Sequence, residues 1–173
     1  MQYDQTRYDV SISAIPKQGL VGLRAGVEGQ SRAGTVIGGQ LPVMPDSLST
    51  DMATALPIAG DEWLLRCADA DTLHAQLDAT LEGRHGVVAV VSDAWCGFRV
   101  RGEDALHVMA QVVAVDLQAF ADRDIAVFGR TGVGRAAGLV VRNVRAQDFS
   151  IYVDATHARY AQKLLHTCAG AEI

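Results

Sequence analysis

Between Glu62 and Ser92 three patterns follow one another that together demand a helix lying on a sheet. Glu62-Trp63-Leu64-Leu65-Arg66-Cys67 reads as a strand. Leu73, Leu77 and Leu81 then recur at every fourth residue, which places them on one face of a helix. Val87–Ser92 closes the series as an apolar run and reads as a buried strand. Asp69 or Asp71 stands where a carboxylate accepts the first free N–H groups of a helix. Gly83 follows the last leucine, where a left-handed stop costs glycine little. Burying each leucine contributes roughly 1.5–3 kcal/mol before entropy, so this helix needs an apolar surface to cover.

A similar order continues downstream. Phe98 and Val100 alternate with Arg99 and Arg101, the pattern of a strand wet on one side. Gly102-Glu103-Asp104 puts two acids at a helix start, where the dipole favours them. Leu106, Met109, Val112 and Val113 follow at helical spacing, and Val115-Asp116-Leu117 reads as a chain reversal. Gly138–Val144 and Phe149–Val153 read as a hairpin around Arg145–Asp148. Asp154 is placed to cap a final helix with Tyr160, Ala161, Leu164, Leu165 and Cys168 as its apolar stripe, ended by Gly170.

Residues 1–57 are less regular. Leu20–Ala25 is expected to be a strand and Thr35–Val43 another, with Gly26–Gly34 between them as a turn or mobile loop. Met44–Leu56, framed by Pro42, Pro45 and Pro57, is expected to be irregular or one short helix. The 173 residues fit a single domain, residues 1–173, with the α+β core in 58–170. The fold class is α+β: a two-layer sandwich of a mixed, mainly antiparallel sheet with helices packed on one face.

The net charge of −5 leaves no basic footprint for nucleic acid and argues against a membrane-surface role. Cys67, Cys96 and Cys168 are odd in number and far apart, which suits reduced thiols. Met1–Ser13 has no hydrophobic signal core, and Val87–Val91 is far short of a membrane span. A soluble cytoplasmic protein is the expectation. Of fifteen basic residues only Lys17 and Lys163 are lysine. Genome composition accounts for that, and so does a protein–protein interface, where arginine is enriched.

Candidate chemistry is sparse. Gly132, Gly134 and Gly138 make GxGxxxG, near a dinucleotide fingerprint, but Leu139-Val140-Val141 follows as a strand where that motif requires a helix. Gly129 to Gly134 has the spacing of a phosphate-binding loop, with Arg135 where lysine belongs and no serine or threonine after it. His74, His85, His107, His157 and His166 form no ligand pair with one another or with cysteine. Cys96 beside Trp95 lacks a cationic partner nearby in sequence. Asp61-Glu62 would point to opposite faces of a strand, and Glu103-Asp104 is explained by the helix start. Trp63 is expected in the core; Trp95, near a turn, is core or an interface anchor. The residues thus assign no catalytic, cofactor-binding or metal-ligating set.

Taken in order, several segments resemble the gamma subunit of heterotetrameric sarcosine oxidase. Gly60-Asp61-Glu62-Trp63-Leu64-Leu65 is similar to its G-P-D-E-W-L-L signature, without the proline. Ser92-Asp93 and Phe98 to Ala105 are similar to its strand and G-x-x-A helix start, and Val115-Asp116-Leu117 to its D-L turn. Thr131 to Arg142, Phe149-Ser150-Ile151-Tyr152-Val153 and Ala158-Arg159-Tyr160 resemble its closing strands and last helix, although Ala155-Thr156-His157 replaces an arginine–serine–aromatic run. The resemblance implies a fold related to the folate-binding domain of aminomethyltransferases. It also implies a companion without cofactor in a complex that demethylates sarcosine oxidatively to glycine and passes the one-carbon unit to tetrahydrofolate. FAD, FMN, NAD and the folate would then belong to large alpha and beta subunits, and a zinc to a small delta subunit. Alternatives are a subunit of a related N-methyl amino acid dehydrogenase, a stand-alone folate-binding or one-carbon transfer protein, and a ferredoxin-like interaction module.

Overall fold

The computed structural model describes residues 8–120, 122–143 and 147–170. In chain order they form β1 (Ser11–Ala14), β2 (Gly19–Ala25), α1 (Val27–Ile37), β3 (Leu48–Ser49), β4 (Thr54–Ala59), β5 (Glu62–Cys67), α2 (Ala70–Leu81), β6 (Gly86–Val90), β7 (Trp95–Arg101), α3 (Ala105–Val112), β8 (Ile125–Val133), β9 (Ala136–Asn143), β10 (Asp148–Asp154) and α4 (Ala158–Cys168). A short 3-10 turn, Ala155–His157, leads into the last helix. Two compact units result: Lys17–Ala94, and Met1–Pro16 with Trp95–Ile173.

The first unit is a five-stranded sheet in the order β3-β4-β5-β2-β6, every pairing antiparallel. The leucine helix forms as expected. Asp69 accepts the Thr72 N–H at 3.0 Å, and Leu73, Leu77 and Leu81 are buried among Val21, Leu23, Trp63 and Leu65. Trp63 is core, and its indole N–H donates to the Pro42 carbonyl at 2.7 Å.

Three expectations fail in this unit. Gly26–Gly34 is not a loop, nor Thr35–Val43 a strand: α1 takes up Val27–Ile37, and no strand forms between Gly38 and Val43. The buried face of α1 is Gly29, Ala33, Gly34 and Ile37. A Cβ on Gly29 would stand 3.1 Å from both Ala25 Cβ and Leu81 Cδ2, so the small residues let this helix lie close. Met44–Leu56 is largely irregular, one of the two readings expected of it, with the two-residue β3 and the start of β4 as its regular pieces. Pro57 sits in β4 where the register against β5 shifts, a position at which a strand tolerates proline. The run read as a buried strand is β6, an edge strand with Val87 66% exposed. A continuous apolar run does not distinguish a central strand from an edge.

The second unit is also an antiparallel five-stranded sheet, in the order β1-β7-β10-β9-β8. One face carries Phe98, Val100, Phe149, Ile151, Val153 and Val140 into a core shared with Val108 and Met109 of α3 and Ala161 and Leu165 of α4. The other face of β7 carries Arg99 and Arg101, as their alternation requires. Asp154 accepts the Thr156 N–H at 2.8 Å at the entry to α4. Asp116 turns the chain by accepting the Gln118 N–H at 2.9 Å. Residues 1–7 lie outside the described residues, as do residues 144–146, the end of the expected strand Gly138–Val144 and the first half of the expected connection.

The α+β class and the antiparallel pairing therefore stand, in two sheets rather than one. Alternation marks a strand but does not say which strand it joins. The two units also share a run of strand, helix, three-stranded meander and helix: β2-α1-β3-β4-β5-α2 in the first, β7-α3-β8-β9-β10-α4 in the second. The position that β6 fills in the first is filled in the second by β1, from the opposite end of the chain.

Candidate functional site

The glycine-rich stretch is a β-hairpin. Val133 pairs with Ala136, and Gly134-Arg135 is the two-residue turn between β8 and β9. Gly134 has φ +57°, as the first position of such a turn requires for strands of right-handed twist. Gly138 follows inside β9, where a Cβ would meet the Tyr152 carbonyl at 2.9 Å. No helix begins after these glycines, so the structure does not build the N–H cradle of a dinucleotide or phosphate loop there. The hairpin tip instead lies against α4, and the Arg135 N–H donates to the Tyr160 hydroxyl at 2.9 Å.

The paired acids do not converge. Asp61 accepts from Arg24 at 2.9 Å. Glu103-Asp104 stands at the start of α3 as expected, with Asp104 in the capping position, although its carboxylate accepts the Asp9 N–H at 2.9 Å and not an N–H of the helix. His107 stacks on Tyr8 with centroids 6.2 Å apart. Among the described residues no three His, Cys, Asp or Glu side chains gather as metal ligands. The three thiols are half-buried and free, and desolvation pushes each above its usual range, opposite to an activated nucleophile. Trp95 is half-buried and pairs with Asp154 in the ladder between β7 and β10.

One cluster escaped the sequence reading. Asp148, expected in a turn, opens β10 and is only 3% exposed. Its carboxylate accepts from Arg99 Nε at 2.9 and 3.0 Å, from Arg99 Nη2, and from Arg101 Nη2 at 3.1 Å. The Arg99 hydrogen bonds, then those of Arg101, hold this acid below the usual carboxylate range against the opposing effect of burial. The signal was present: two arginines on one strand face call for an anion opposite them. The geometry leaves both oxygens occupied by guanidinium, an arrangement that fastens β7 to β10 rather than one poised for proton transfer.

In the first unit a groove of about 620 Å³ runs along α1, lined by Val27, Gln30, Ser31, Thr35, Gln40 and Leu41 among others. It holds no ionisable side chain. Val27 at its rim is 85% exposed, and Val43 and Met44 are exposed nearby in sequence. Among the described residues no helix is long and apolar enough to cross a membrane.

No protein-family model and no curated protein matches the chain. Solved structures do. The chain is similar to one in the heterotetrameric sarcosine oxidase from Corynebacterium sp. U-96 in complex with pyrrole 2-carboxylate, with a TM-score of 0.83 at 20% identity, covering 95% of this chain and 87% of that one. It is also similar to aminomethyltransferase T of the glycine cleavage system from Bartonella henselae, with a TM-score of 0.61 at 16% identity. That match takes in 97% of this chain but 48% of the transferase, so the chain spans about half its length. The fold expected from the sequence resemblance is the fold observed.

Proposed function

We propose that this chain is the gamma-type, non-catalytic subunit of a heterotetrameric sarcosine oxidase-like flavoenzyme. One observation supports the reading: the match takes in 95% of this chain and 87% of a chain of such an assembly, but 48% of the transferase. In this role it docks on large alpha and beta subunits, accompanied by a small delta subunit. Those partners hold FAD, FMN, NAD and tetrahydrofolate. The assembly removes the methyl group of sarcosine by oxidation, leaves glycine and hands the one-carbon unit to tetrahydrofolate. In this reading the complex works in the cytoplasm. The contribution of this chain is shape and surface, supported by apolar side chains such as Val27, Val43 and Val87 held in the open.

Co-expression with the genes beside it, followed by affinity purification through this chain, tests the reading. A stoichiometric assembly with flavin absorption and sarcosine-dependent oxygen consumption is the expected result. Recovery of this chain alone at every ionic strength ends the proposal. Turnover of N-methylglutamate in place of sarcosine would reassign the complex to a related dehydrogenase. The half-length match to the transferase favours a second reading, a stand-alone folate-binding protein. Calorimetry of the isolated chain with tetrahydrofolate decides it, and no heat at millimolar ligand removes it.

A further inference from the structure

The basic side chains of this protein are not evenly satisfied. Lys17, Arg24, Arg32, Arg84, Arg99 and Arg101 pair with carboxylates. Arg142 donates to the Leu117 carbonyl, and Arg66, Arg123 and Arg130 have partners as well. Arg135, Arg159 and Lys163 have no such side-chain partner among the described residues, and all three gather in one place. Arg159 and Lys163 are exposed on α4 one turn apart, with Tyr160 between them. Arg135 is exposed at the hairpin tip whose backbone is tied to the Tyr160 hydroxyl. From Ala155 to Gly170 the sequence holds no acid; Asp154, just before it, is engaged by the Thr156 N–H and hydroxyl. Helix stability does not account for this, because Arg159 lies in the first turn of α4, where the dipole disfavours a cation.

We propose that this face of α4 and the β8–β9 turn is a docking surface for an acidic protein segment. Charge complementarity supports it: in a chain of net charge −5, the cations without a side-chain partner among the described residues collect around Tyr160. Tyrosine and arginine are the side chains that dominate binding energy at protein interfaces. Tyr160, 37% exposed and held by its hydroxyl, offers a rigid apolar plate for the partner to cover, while the cations fix its orientation. The inference deepens the subunit reading and names the part of this chain that would meet a partner.

Two measurements test it. In the first, the isolated full chain is titrated into labelled poly-L-glutamate, phosphatidylserine vesicles and a short DNA duplex. Poly-L-glutamate should bind, weakening about tenfold between low and physiological salt. The combined Arg135→Glu, Arg159→Glu and Lys163→Glu variant should lose about a hundredfold in affinity. The milder Arg159→Gln and Lys163→Gln pair, with an unchanged circular dichroism melt, should lose part of it. No binding, an unaffected variant, or equal preference for DNA or vesicles overturns the proposal. In the second, the same variants replace the native chain in the co-expressed complex. Retention of the flavoprotein by the charge-reversed chain refutes the surface and leaves the subunit reading intact. If the native chain recovers no flavoprotein, the subunit reading falls, and the poly-L-glutamate measurement still decides the surface.

Discussion

Replacing Asp148 by asparagine keeps the shape of the side chain and removes the charge that two guanidinium groups share. Breaking a buried ion pair from one side costs about 3–5 kcal/mol where the orphaned charge stays buried. Here the side chains of Arg99 and Arg101 are 46% and 54% exposed, so water takes up much of that loss. A cost of about 1–3 kcal/mol is expected at neutral pH. For a protein of this length each kcal/mol lowers Tm by roughly 2–4 °C, which scanning calorimetry resolves. The pH dependence follows from the sign of the shift. The folded acid titrates below its unfolded value, so its contribution is fully present above the ordinary carboxylate range and fades as pH falls through the folded pKa. The gap in Tm between native chain and variant should therefore be widest near neutrality and shrink in acid. A variant as stable as the native chain at pH 7, or a gap that does not change on acidification, refutes the account of this cluster.

Leu77→Ala should cost about 2–5 kcal/mol by urea titration, because this side chain is fully buried at the centre of the leucine stripe; a loss under half a kcal/mol would mean that α2 does not seal the core. Gly134→Ala adds a Cβ where φ is +57°, 2.6 Å from Leu164 Cδ2 and against the Tyr160 hydroxyl, and should destabilise by at least about 1 kcal/mol. The same change at Gly60, with open space around it, serves as the comparison and should cost far less.

What the sequence disclosed and what it hid divide along physical lines. The helix α2 announced itself because Leu73, Leu77 and Leu81 are large and periodic, and Asp69 marks its start. The helix α1 did not, because its buried face is built from Gly29, Ala33 and Gly34, whose chemistry also suits turns. Pro57 concealed β4, since a proline in a strand is legible only once a register shift is known to accommodate it. Arg99 and Arg101 were correctly placed on one wet face, but their counter-ion lies 49 residues away from Arg99 along the chain, beyond any local pattern. The glycines of the β8–β9 hairpin imitated a nucleotide loop, and only the strand after them separated the two. The basic side of α4 shows why pairing matters more than composition: the charges are plain in the sequence, but which of them are already answered is a property of the fold.

The strand β1 belongs to a sheet whose other four strands lie beyond residue 94. During synthesis Ser11 leaves the ribosome long before Arg101, its ladder partner, exists. Residues 17–94 can meanwhile gather their own sheet and helices, so the second sheet must recruit a strand that has waited through the making of the first. Closing so long an intervening segment costs little more than closing one half its length, because the entropy rises only with the logarithm of the span. The arrangement also makes the far end of the protein answerable to its beginning: trimming the segment around Ser11–Ala14 would leave β7 a bare rim, open to pairing with whatever strand it next encounters.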